Sequence, residues 1–228
     1  MPVKHSYVDL LAATPLAELR YRAAVVTDLA GTGASHARST RSYRVEGATR
    51  YATNDSGGQN AIWYFTDDGR VLLCTFMHDS EANVAGDLEL QRSFYSGVPA
   101  DLLRLAADRT EAYENIRAEA DGECLLAATG VGWYDGTTWR VSEGPRAYCE
   151  EYGLAPAESG LANLDPYLLG REFTPETYLD EYFLADDWLG PSREVRLPAQ
   201  VPGPSRPDRE TLLTRIRPIF QRHRALRG

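Results

Sequence analysis

Residues 63–83 read WYFTDDGRVLLCTFMHDSEAN, and this stretch decides the fold class. Asp68-Gly69 supplies the positive φ angles that a tight turn needs, and apolar runs flank it, so the spacing predicts a β-hairpin. The second strand is apolar on both faces, with Val71, Leu73, Thr75 and Met77 on one and Leu72, Cys74 and Phe76 on the other. A strand solvated on one face alternates in polarity, so this one is expected at the centre of a sheet covered on both sides.

The β signal extends outward from there. Ser42–Thr53 alternates loosely, and NDSGGQN at 54–60 is a turn-rich loop. Downstream, ECLLAATGVGWY at 123–134 and TTWRVSE at 137–143 flank Asp135-Gly136, the turn of a second hairpin. Between the hairpins, Val98-Pro99 leads into residues 100–120, where Leu102, Ala106, Arg109, Tyr113 and Ile116 share a helical face.

Helices flank the sheet. Val8 and Leu11 fit one short helix; Pro15 opens a second, carrying Leu16, Leu19, Ala23, Val26 and Ala30. GTGAS at 31–35 ends it. A glycine-rich turn that follows a helix, instead of joining a strand to one, lacks the context of a dinucleotide site. Beyond Gly144, PRAYCEEYG reads as a helix opened by Pro145 and closed by Gly153. Thr174-Pro175-Glu176 starts another, running through Tyr178, Leu179, Tyr182 and Phe183 to Asp186-Asp187-Trp188. Pro191, Pro198, Pro202, Pro204 and Pro207 punctuate an extended connector. Asp208 caps a final helix with an apolar stripe of Leu212, Leu213, Ile216, Ile219 and Phe220, which Pro218 should kink.

The expected fold is α+β: a largely antiparallel sheet with two β-hairpins, flanking helices, and a C-terminal helix on a proline-rich arm. Residues 1–189 are expected to form a single domain, with N-terminal helices at 6–30, a sheet region at 42–141 and a helical region at 145–189. Residues 190–207 are the connector and 208–228 the basic C-terminal helix.

Composition narrows the function classes. A hydrophobic fraction of 43% and a charged fraction of 25% are those of an ordinary globular chain. No apolar run approaches the roughly 20 residues that span a bilayer, and the N-terminus is a poor signal peptide, so no membrane association and a cytoplasmic location are expected. Cys74, Cys124 and Cys149 are widely spaced and odd in number, which fits buried free thiols better than disulfides or a zinc site. The net charge is −9, and residues 206–228 carry seven arginines against Asp208 and Glu210, a local +5, which leaves −14 on residues 1–205. That acidic body repels phosphates, so nucleic acid is not an expected partner. Lys4 is the only lysine beside 23 arginines, a skew that follows GC-rich coding.

Three residues could carry chemistry: His78, Asp79 and Glu81, at the end of strand 71–77. A histidine among carboxylates can act as a general base, which gives a small-molecule, hydrolase-like enzyme as one reading. Cys74 and His78 would share a face, but four strand residues span about 13 Å, so they cannot form a nucleophilic pair while the strand is regular. The competing reading of the segment is a strand end followed by a turn or helix cap. No nucleophile elbow, zincin, phosphate-loop or kinase motif is present, and no cofactor or metal is expected.

The more distinctive signal is aromatic and acidic together. Thirteen tyrosines and four tryptophans include clusters at Glu150, Glu151 and Tyr152, and along Tyr178, Asp180, Glu181, Asp186, Asp187 and Trp188. Aromatic side chains anchor interfaces and surrounding acid steers a basic partner, so the latter set is the expected partner-binding face. The leading expectation is therefore a non-enzymatic binding protein for a basic protein partner, of the immunity or antitoxin type. A structural subunit that dimerises through the C-terminal helix is a further reading. So is docking of that basic helix on the chain's own acidic body.

Overall fold

The computed structural model describes residues 6–35, 39–55, 58–108, 116–155, 161, 163–189 and 207–227, with only the backbone given at 39–40 and 185–189. Six strands form one sheet: β1 Ser39–Val45, β2 Ala48–Asn54, β3 Gln59–Thr66, β4 Val71–Met77, β7 Gly130–Tyr134 and β8 Trp139–Val141. Their order is β1-β2-β3-β4-β7-β8, and each neighbouring pair is antiparallel. β5 (Arg117–Ala120) and β6 (Glu123–Leu126) make a separate two-stranded ribbon. The fold is α+β, as the sequence predicts.

β4 lies between β3 and β7, and its residues from Val71 to Phe76 are all buried. The period-2 alternation of strands divides the interior in two. Val71 and Leu73 join Trp63, Phe65 and Tyr51 under helices α1 (Tyr7–Ala13), α2 (Leu16–Leu29), α6 (Pro175–Leu189) and α7 (Arg209–Arg222). Leu72 and Cys74 join Ile62, Tyr64 and Val131 under α3 (Leu88–Ser93), α4 (Ala100–Ala106) and the β5–β6 ribbon. The two-faced strand of the opening stretch is therefore the partition between two cores.

Its hairpin turn is fixed by charge as well as by Gly69, whose φ is +86°. The Asp68 carboxylate accepts from the Thr66 hydroxyl and from Arg70 Nε, the latter at 2.9 Å. Bonding first to Arg70 and then to Thr66 pulls the Asp68 pKa down to about 2. Because the folded value lies below the unfolded one of about 3.9, the turn's contribution to stability is complete above that pH. It is lost as pH falls through the folded value. A carboxyl-carbon NMR titration should place the Asp68 midpoint near 2; a midpoint at or above the ordinary aspartate value would contradict the bonding described.

Several sequence expectations need correction. The helix predicted through residue 120 ends at Ala106, and Arg117–Ala120 is a strand. Asp121 and Gly122 both have positive φ, 51° and 83°, and fold β5 back onto β6. Local turn chemistry thus outweighs the helical spacing that suggested Ile116 as a helical residue. Arg109 and Tyr113 lie outside the described residues. The run at 123–134 is two strands, not one: β6 pairs with β5, and β7 returns to the sheet beside β4. Ser42–Thr53 is likewise a hairpin, with Gly47 at φ 72° as its turn. Helix α3, capped by the Asp87 carboxylate accepting from the Leu90 amide, was not foreseen.

The remaining helices follow their sequence signals. α5 (Gly144–Tyr152) has Pro145 in its first turn and ends at Gly153 with φ 68°. Thr174 Oγ1 accepts from the Thr177 amide at the start of α6. Asp208 caps α7, and Leu212, Leu213, Ile216, Ile219 and Phe220 are all buried. α7 packs on its own chain, within the core shared with α2 and α6. Around that apolar stripe Arg209 pairs with Asp180, Arg217 with Glu176, Arg222 and His223 with Asp28, and Arg227 with Glu18. No described helix is long and apolar enough to cross a membrane.

Candidate functional site

The turn after β4 places His78, Asp79 and Glu81 at the surface, all three exposed. The His78 amide donates to the Gly58 carbonyl at 3.0 Å, and Asn83 Nδ2 donates to the His78 carbonyl at 2.9 Å. Ser80, by contrast, is buried, and its hydroxyl oxygen accepts from the Ala82 amide. The segment is thus a turn built on Ser80 and Asn83, and the next helix begins only at Leu88. Cys74 is buried within the sheet, where Tyr95 Oη lies 3.5 Å from its sulfur. Burial pushes that thiol up to about 12, far from the thiolate a nucleophile requires. Among the described residues no cluster of three or more His, Cys, Asp or Glu could hold a metal ion.

The α6 residues divide differently. Tyr178 is buried, edge-on to Phe173 and Phe220 at 6.1 and 6.3 Å between ring centroids. Burial raises its hydroxyl to about 12. Asp180 accepts from Arg209 at 2.8 Å, and Glu181 from Arg171. These groups serve the chain's own packing and ion pairs. The side chains of Asp186, Asp187 and Trp188 lie outside the described residues.

An acidic, aromatic surface remains on α5. Gly144 and Pro145 seat the start of this helix against the end of α3: a Cβ on Gly144 would lie 1.9 Å from the Ser93 carbonyl oxygen. Cys149 faces inward with Phe94, Ala82 and Val84, and on the flank of the helix beside it half-buried Tyr148 and exposed Tyr152 lie one turn apart, with Glu151 exposed next to them. Tyr148 leans edge-on against Phe94, and Tyr152 lies against Tyr148 with centroids 4.5 Å apart and ring planes tilted by 32°. Tyr152 is 56% exposed, one of few large apolar side chains so placed. Arg146 is held between Glu143 and Glu150. Glu151, exposed beside Tyr152, has no ion-pair partner among the described residues. Partial burial, with Tyr152 and Glu151 close by, holds the Tyr148 hydroxyl above its ordinary pKa.

Glu143 to Tyr152 carries three glutamates against Arg146, a net −2, around two rings in contact. Rings of this kind bury large area with little loss of side-chain freedom, and a neighbouring carboxylate favours a cation on the opposing surface. The sequence cluster at 150–152 signalled this face, but only the structure separates it from α6, whose described acids are already paired. Comparison with known proteins finds no matching family model, no matching curated protein and no matching solved structure.

Proposed function

We propose that this is a non-enzymatic, cytosolic binding protein whose acidic, aromatic-bearing face, on α5, engages a basic protein partner. The observation that supports this is the Tyr148–Tyr152 ring contact with exposed Glu151 beside it. The charge layout agrees. The seven arginines of 206–228 offset only part of the −14 on the rest of the chain, so the surface as a whole remains acidic. An inhibitor that blocks a basic enzyme such as a nuclease, as an immunity protein or antitoxin does, is the concrete form of this reading.

The test compares the wild-type chain with a variant carrying Glu151→Gln and Tyr152→Ser, both immobilised and exposed to a native lysate. Both side chains are exposed, so the variant keeps its fold. The wild type should retain a basic protein in stoichiometric amount, released by salt, and the variant about tenfold less or below. Equal retention by the two, salt-indifferent retention, or no stoichiometric partner would overturn the reading.

A further inference from the structure

The antiparallel register puts three hairpin turns at one end of the sheet, opposite the His78 turn: Glu46-Gly47, Asp67–Gly69 and Asp135-Gly136. Helix α4 runs beside them. Between the first two turns and α4 lies a cleft of about 960 Å³. Five carboxylates line it: Glu46, Asp67, Asp68, Asp101 and Asp108. Three arginines oppose them, Arg44, Arg70 and Arg104, so the lining carries a net −2.

The arginines are not equally available. Arg44 donates to both oxygens of Asp67, at 2.8 and 2.7 Å, and Arg70 is held between Asp68 and Asp101. These pairs fix the carboxylates in place, and each carboxylate keeps lone pairs for a further donor. Glu46, exposed on its turn, has no ion-pair partner among the described residues. Val45, Leu102 and Leu105 supply an apolar wall. The volume falls in the range of molecular ligands, about 300–1,000 Å³, and is far larger than a bare ion needs.

We propose that this cleft receives an arginine side chain presented by a peptide segment. A guanidinium matches carboxylates in pairs, as Arg44 and Asp67 already illustrate, and its methylene stem suits the wall of Val45, Leu102 and Leu105. The inference rests on the reading of a basic partner given above, but it concerns a different face from α5.

Fluorescence anisotropy with a labelled short peptide rich in arginine, and its citrulline counterpart of the same shape without charge, tests this on the full chain. The arginine peptide should saturate below about 1 mM and the citrulline peptide bind at least tenfold more weakly. A variant with Glu46→Gln and Asp101→Asn should lose at least tenfold, with Glu46→Gln alone as the version that leaves every described ion pair intact and still weakens binding. Equal binding of the two peptides, absence of saturation, or indifference to both cleft variants would overturn the proposal. A captured partner that depends on α5 but not on Glu46 or Asp101 would defeat this inference alone and leave the binding function standing.

Discussion

Arg22→Leu is expected to lower the free energy of unfolding by about 3–5 kcal/mol, read as a fall in the urea midpoint at unchanged slope. Arg22 is 6% exposed and lies on α2, where Nε donates to Glu18 at 2.8 Å. Its two terminal nitrogens reach across to the carbonyls of Tyr167, Leu168 and Arg171, at 2.9, 2.5 and 3.0 Å. Leucine would fill part of the space but leave the buried Tyr167 carbonyl without its donor, at a cost of about 1–3 kcal/mol where water has no access, while the Leu168 carbonyl would keep only the Arg171 amide. Glu18 would fare better, since Arg227 also pairs with it.

Leu168 adds to the effect. It is in the left-handed region at φ 47° and ψ 46°, a conformation costing a side chain about 1–2 kcal/mol. The Arg22 fork holds the carbonyls on either side of that bend. Arg22→Lys should give an intermediate loss, because an ammonium keeps the charge without the planar fork. A loss under about 1 kcal/mol for the leucine variant would show that the fork is not what fixes the bend.

Gly144→Ala is expected to cost about 3 kcal/mol or more and to weaken partner capture through α5 as well. The added carbon would lie 1.9 Å from the Ser93 carbonyl oxygen, 2.7 Å from its carbon and 2.8 Å from the Phe94 Cα. All three are backbone atoms, so relief requires α3 and α5 to move apart, and that would open the small core of Phe94, Cys149, Ala82 and Val84. Gly153→Ala, at the other end of the same helix, is the control. It meets nothing within 4 Å and bears only the strain of a positive φ, about 1 kcal/mol. Thermal melts of the two variants should separate clearly; similar melts would mean that the contact with Ser93 yields without cost.

Much of the architecture was legible because it is written locally. Asp68-Gly69, Asp135-Gly136, the caps Thr174 and Asp208 and the stop at Gly153 each act within a few residues, and all are found as read. The two faces of strand 71–77 and the stripe of α7 were legible for a related reason: burial imposes a period on the sequence. What escaped depends on partners far along the chain. Residues 123–126 pair with 117–120 while 130–134 pair with β4, a division that follows from the Asp121-Gly122 turn and not from the apolar run itself.

Arginine was the least legible residue. The sequence offers 23, and nothing in their spacing distinguishes buried Arg22 or Arg50 from those on the surface. The cleft between the hairpin turns and α4 was equally hidden, because its carboxylates come from three separate segments. The surroundings of Tyr178 were not legible for the complementary reason: an aromatic beside acids has the same sequence whether it faces a partner or its own C-terminal helix.

The docking of α7 sets the order in which this molecule can be completed. Tyr21 Oη donates to the Phe220 carbonyl across 199 positions of chain, and Leu19, Val26 and Leu29 share a core with Leu212 and Ile216. During synthesis the apolar side of α2 therefore emerges long before the helix that covers it. Until then the nascent chain presents an oily groove rimmed by Glu18, Asp28, Glu176 and Asp180, which invites chaperones and premature association. Folding of that half is therefore expected to wait on one amphipathic helix, across a long stretch of chain.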